Sequence, residues 1–220
     1  MIDLRSLYRR GRIPLWIKLA YTAFATVLVP YYWHVYGPTN FLYFCDFALL
    51  MTLPAIWLES SLLVSTALVG ILLPQTLWIL DFLGSLMGLR LTGITSYMFR
   101  SDLPLFTRAL STFHIWLPPL LVWLASRLGY DKRAFWVWTV LAWVLLLVCF
   151  LWMPAPPAPA DQPNLPVNIN YVFGLGDEGR QTWMPALPYF LLWMATLPIV
   201  MFWPAHLLLK KFFSYCDRQG

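Results

Sequence analysis

Cys45, Asp46 and His114 are the three side-chain types of an activated cysteine nucleophile, and each stands in an apolar stretch: Asn40-Phe-Leu-Tyr-Phe-Cys-Asp46 and Ser111-Thr-Phe-His114. A thiol attacks only as thiolate, an anion that apolar surroundings disfavour. An imidazole within hydrogen-bond reach can take the proton, and a carboxylate can hold that imidazole in one tautomer. Asp46 follows Cys45 directly, about 100° around a helix, so the two side chains diverge, and its negative charge opposes a neighbouring thiolate. Gln75, Asn168, Asn170 and Tyr171 supply amide and hydroxyl groups that could bind substrate or steady a tetrahedral oxyanion. Each residue also has a structural reading. Cys45 can serve as a small hydrophobe, Asp46 as an ion-pair partner of Arg108, His114 as a donor to a backbone carbonyl, and Gln75 as the group that repairs the hydrogen bond lost at Pro74. His34 and Asp81 read as interface residues. Cys149 and Cys216 have no polar neighbours at this site, which makes them internal controls.

The elements that must position these residues follow from composition. The 220 residues are 60% hydrophobic and 11% charged, with a mean hydropathy of +0.65, whereas a soluble domain is roughly a quarter charged. An all-α polytopic membrane protein is expected, a bundle of six kinked helices. A span needs about 20 apolar residues, and six runs qualify: Leu15–Trp33, Phe41–Leu58, Leu62–Leu83, Pro104–Leu124, Ala134–Met153 and Leu187–Leu209. The runs are continuously apolar rather than alternating, which excludes barrel strands. Pro30, Pro54, Pro74, Pro118–Pro119 and Pro198 lie inside spans, each removing a backbone bond and favouring a kink. At about 1.5 Å per residue, Cys45 lies roughly 8 Å below Asn40 and His114 roughly 9 Å below Arg108. Polar chemistry is thus concentrated in the outer half, and His206 near Lys210 is the exception.

Charge sets the expected topology. Eleven of the fifteen Lys and Arg residues cluster in the leader, at Lys18, in the 127–133 turn and in the tail; Arg90, Arg100, Arg108 and Arg180 lie opposite. The positive-inside rule then places both termini in the cytoplasm of an inner (plasma) membrane protein. Residues 1–14 read as a basic cytoplasmic leader, 15–209 as the transmembrane domain with an outer loop at 154–186, and 210–220 as a cytoplasmic tail. The leader and first run read as a retained signal anchor, because Ala23-Phe24-Ala25 lies inside the apolar stretch rather than after it. The net charge of +5 is a topology signal rather than a nucleic-acid footprint. Three scattered cysteines form neither a disulfide framework nor a zinc knuckle. Gly174–Gly179 matches G-x-G-x-x-G without a preceding strand, and Asp177 with Glu178 would repel a pyrophosphate. Gly84–Gly88, a G-x-x-x-G at a span end, reads as a turn.

The Cys45-Asp46 pair heading an apolar helix, His114 in the fourth span and an Asn-bearing polar segment before the last span resemble the YwaF-like bacterial integral membrane family. They are similar also to its eukaryotic relatives, a cysteine-dependent phospholipid acyltransferase, and more remotely to the androgen-induced family of six-span lipid hydrolases, which use a threonine nucleophile with histidine. The likeness runs from Asn40 to Leu209. It implies Cys45 as nucleophile, His114 as its partner and Val167-Asn168-Ile169-Asn170-Tyr171 as a helper or substrate-binding stretch. Two departures stand out: Asp46 occupies the place where the acyltransferase has histidine, and the span-four motif lacks the second polar residue of the threonine hydrolases.

Together these readings point to a lipid acyl-transfer enzyme, an acyltransferase or an ester hydrolase. It would act through a thioester on a phospholipid or other acyl lipid, without cofactor or metal; no protein partner is inferable. A transporter or receptor with a polar intramembrane pocket is the alternative. A zinc hydrolase built on His34, His114 and a carboxylate has only two histidines available, since His206 lies on the opposite side.

Overall fold

The computed structural model of the chain describes residues 13–89, 91–176 and 179–219, with side chains up to Tyr215. The basic residues Arg5, Arg9, Arg10 and Arg12, the Asp177-Glu178 pair and the Cys216 side chain lie outside that description. All regular structure among the described residues is helical: α1 (Leu15–Tyr36), α2 (Phe44–Trp57), α3 (Ser61–Leu86), α4 (Leu105–Ser111), α5 (Phe113–Leu128), α6 (Ala134–Trp152), α7 (Ala186–Leu197), a π turn over Pro198–Phe202, and α8 (Trp203–Gln219). The residues expected to form a tail therefore continue the last helix.

Four helices are long and apolar enough to cross a membrane: α3, α4 with α5, α6, and α7 through the π turn into α8. The other two expected spans are helical but do not reach that standard. α1 carries Lys18 and is rich in Tyr and Thr. α2 has 14 residues, about 21 Å of rise, because the chain breaks at Gly37 (φ +81°) and Pro38–Leu42 forms a separate 3-10 turn. The prolines also act differently from expectation. Pro30, Pro54, Pro74, Pro118 and Pro119 all lie within unbroken helices. The interruption of the fourth run falls instead at Thr112, between α4 and α5, and Pro198 opens the π turn. Proline supplies no N–H to the helical ladder, which suits the wider π spacing there.

α3 organises the bundle. The Ser60 side chain caps its first turn by accepting from the Leu63 amide. Every residue from Val64 to Ile71 is buried, so the N-terminal half of α3 is covered all round, and the helix as a whole packs against α2, α5, α6 and α8. Beyond Ile71 the buried positions narrow to Gln75, Trp78, Asp81 and Gly84, a stripe at three- and four-residue spacing. At the end of the bundle where α3 begins, Ser65 accepts from the Asp131 amide, Tyr130 pairs with His206, and Lys18 bonds Glu59 at 2.7 Å. In the turn before α6, hydrogen bonds from Arg133 hold the Asp131 carboxyl below the usual carboxylate range. As expected, Gly84–Gly88 ends a helix: the Leu89 amide bonds the Gly84 carbonyl and Gly88 has φ +79°.

Gly70 fixes how closely α3 and α6 approach. A Cβ built there would lie 1.9 Å from Trp138 Cε2, and Trp138 is fully buried. Small residues at helix crossings permit such backbone contact. Gly70→Ala is expected to lower thermal stability in detergent by about 1–3 kcal/mol, and adding Trp138→Leu should recover much of it. Equal losses in the single and double variants would contradict this packing.

Candidate active site

The thiol of Cys45, in the first turn of α2, donates to Asp46 Oδ2 at 3.6 Å. Asp46 is 5% exposed, and its Oδ1 has no hydrogen-bond partner. The expected ion pair with Arg108 is not formed, since Arg108 donates from NH1 to the Met98 carbonyl and its Nε is unpartnered. Tyr32, Tyr36 and Tyr97 lie within electrostatic reach of the Asp46 carboxyl, and Tyr97 also of Cys45. The Tyr32 hydroxyl meets Ser111 Oγ at 2.8 Å, while Ser111 donates its own proton to the Thr107 carbonyl. With that proton committed, Tyr32 is the donor of the pair.

His114 follows the Thr112 break and so sits in the first turn of α5. Its Nδ1 lies 2.8 Å from the Ser111 carbonyl. A carbonyl only accepts, which puts the proton on Nδ1 and leaves Nε2 with a free lone pair. The ring stacks on Trp78 at 4.7 Å between centroids. Nε2 makes no hydrogen bond among the described residues, to Cys45 or to any other group. Sequence pattern therefore placed Cys45, Asp46 and His114 in one region, but the thiol is joined to the carboxyl rather than to the imidazole. The carbonyl-bonded reading of His114 is realised together with a basic nitrogen left open.

Gln75, one helical turn from Trp78 on the buried stripe of α3, is 2% exposed, and neither atom of its amide has a partner. It does not repair the backbone at Pro74. Trp78 Nε1 is likewise buried and lacks a partner in good geometry; the Tyr97 side chain beside it is close enough for at most a poorly aligned hydrogen bond. The third polar residue of the stripe behaves oppositely. Asp81 accepts from the backbone amides of Thr92, Gly93 and Thr95 and from both threonine hydroxyls, at 2.6–3.0 Å. It anchors the connection from α3 to α4 rather than forming an ordinary interface residue.

The asparagines expected as oxyanion donors are committed elsewhere. Asn168 Nδ2 donates to the Gly174 and Gly176 carbonyls, and its Oδ1 accepts from the Phe173 amide. Asn170 Nδ2 donates to the Leu42 carbonyl and contacts Cys149 Sγ at 3.7 Å, while its Oδ1 accepts from the Phe44 amide at 3.0 Å. Both adopt positive φ, which asparagine tolerates better than most residues. Tyr171, at φ +62°, accepts from the Tyr189 hydroxyl through its carbonyl. This part of the loop between α6 and α7 is thus packed structure, with Ile169 and Val172 fully buried.

No family model, curated protein or solved structure matches this chain. Function must therefore be argued from the site itself. Its most informative link is long-range: α2 has no side-chain cap of its own, and Asn170 caps it from 126 residues away, directly before Cys45. Asn170 is a positioning residue. Cys149, as a contact of Asn170, is correspondingly not free of polar neighbours, so Cys149→Ser is a better control than an alanine. Asn170→Ala should cost about 2–3 kcal/mol, the penalty for orphaned backbone partners, and should speed hydrogen exchange at the Phe44 amide. An unchanged exchange rate would refute the capping role.

Among the described residues no group of three metal-ligating side chains occurs, and His34 is exposed. Trp78, Tyr32, Ser111 and Tyr97 were not singled out in the sequence. Trp78 alone carried a signal there, the three-residue spacing from Gln75 to Trp78 to Asp81.

Proposed function

We propose that this chain is a membrane-embedded lipid acyl-transfer enzyme, of six spans with both termini cytoplasmic, acting near the outer face of the plasma membrane. The observation that carries the reading is the fixed tautomer of His114, whose ring stacks on Trp78, while Tyr97 lies within reach of both Trp78 and Cys45. Buried orphan polar atoms call for an explanation, and a substrate group is the one adopted here.

In this reading an acyl chain enters from the bilayer and its ester carbonyl meets Cys45 Sγ. The thiol turns from Asp46, and its proton passes to His114 Nε2; catalytic contacts of this kind often close only when substrate binds. The S–C bond forms as the ester C–O bond breaks, and His114 returns the proton to the departing alkoxide. An acceptor hydroxyl, from a lysolipid or water, then repeats the sequence in reverse and releases the thiol. Asp46 and the Tyr32–Ser111 bond keep the cluster polar and ordered. The YwaF-like resemblance supports the same assignment of Cys45 and His114.

The test is to supply purified protein with a phospholipid carrying a labelled acyl chain, with and without lysolipid. Label in new phospholipid identifies a transferase, and free labelled fatty acid identifies a hydrolase. Neither product, together with flux of a polar solute into liposomes that survives Cys45→Ala, would replace this reading with that of a transporter.

A further inference from the structure

Two unpartnered N–H donors occupy one buried stripe of α3. Trp78 Nε1 and Gln75 Nε2 are three residues apart, both side chains are more than nine-tenths buried, and neither meets a partner in good hydrogen-bond geometry, the Tyr97 side chain lying beside Trp78. Residues at this spacing share a helix face. Water can satisfy a donor at a protein surface, but in a bilayer interior an unmet N–H is expensive. Asp81, on the same stripe, shows what a satisfied group looks like here, with five donors around it. The contrast marks Gln75 and Trp78 as groups with a missing partner.

The missing partner has a definable chemistry. Two neutral N–H groups suit a neutral acceptor, and the buried stripe of Gln75, Trp78, Asp81 and Gly84 carries no cation. An anionic phosphate therefore fits poorly. In the proposed topology depth agrees, since Gln75 lies six residues, about 9 Å along α3, inside Asp81. The acceptor is also brought against His114, because Trp78 stacks on that ring. We infer that Gln75 and Trp78 form a paired donor for the ester carbonyl oxygen of an acyl lipid. This deepens the acyl-transfer reading, in which the pair would also hold the oxyanion, yet its test does not depend on turnover.

Purified full-length protein with ¹⁵N-labelled tryptophan is titrated in detergent with dioleoylphosphatidylcholine and, separately, with its diether counterpart, which lacks the carbonyls. The Trp78 indole resonance is assigned by its absence in Trp78→Phe. The ester lipid is expected to shift that resonance and the diether is not. Gln75→Leu should weaken ester binding roughly three- to tenfold, as for one neutral hydrogen bond, and should leave the melting temperature unchanged or raised, since it removes an orphan. A structural role for Gln75 would instead lower the melting temperature. If Trp78→Phe does not fold, the infrared band of a ¹³C-carbonyl lipid gives the same answer, moving to lower frequency on binding to the wild type but less to Gln75→Leu.

Equal shifts with ester and diether, no shift with either, or a resonance that responds to Tyr97→Phe but to no lipid would overturn the pair. An ester-specific shift in a protein without turnover keeps the carbonyl site and discards the acyl-transfer reading. Turnover without the shift does the reverse.

Discussion

Replacing Cys45 with alanine is expected to lower acyl transfer by a factor on the order of 10⁴ to 10⁶, as when a covalent nucleophile is removed. The half-buried thiol makes one weak hydrogen bond, to Asp46, so the fold should tolerate the change and unfolding temperature should move little. Cys149→Ser keeps an acceptor for Asn170 Nδ2 and should retain activity. His114→Gln removes the Nε2 base while leaving a group able to bond the Ser111 carbonyl. Loss of a general base costs about 10²–10⁴ in rate, so this variant should fall between the other two. Comparable rates in wild type and Cys45→Ala would remove cysteine from the mechanism, whatever His114 does.

The largest stability effect is expected at Asp81. Its carboxylate gathers three backbone amides and two hydroxyls from Thr92, Gly93 and Thr95, in a site only 1% exposed. Asp81→Ala leaves those donors without their acceptor, a loss of about 3 kcal/mol or more. Amide exchange at Thr92, Gly93 and Thr95 should accelerate far more than in α6. Because Tyr97 follows this connection directly and faces Cys45 and Asp46, substrate binding should weaken as well. Unchanged exchange in the connection would show that Asp81 does not hold it.

Much of the helical framework was legible because apolar runs of this length have few other solutions in a chain with so little charge. The break before His114 was not, because Thr112 is neither proline nor glycine and its effect depends on the packing of α4 and α5. Pro118 and Pro119 misled in the opposite direction: their ladder bonds are lost, yet the helix runs on. The roles of Asn168 and Asn170 were illegible for a different reason. Their amides are spent on partners such as Leu42 and Phe44, and nothing local in Val167-Asn-Ile-Asn-Tyr171 indicates contacts that distant. The stripe Gln75, Trp78 and Asp81 was visible as spacing, but only packing separates the satisfied member from the two orphans.

The cluster also explains why Asp46 can stand beside Cys45. A carboxyl that accepts the thiol proton holds the sulfur in its protonated form, and in the proposed mechanism the base sits on a different helix. Activation in that mechanism requires the thiol to change partner, which would couple nucleophile formation to the arrival of substrate.

Intact mass of the protein after incubation with an ester phospholipid, trapped before the acceptor is added, tests the central claim most directly. One acyl chain attached at Cys45, released by hydroxylamine and absent from Cys45→Ala, is the predicted result. An unmodified Cys45 in protein that is turning over lipid, or an adduct of the same mass in Cys45→Ala, would contradict it.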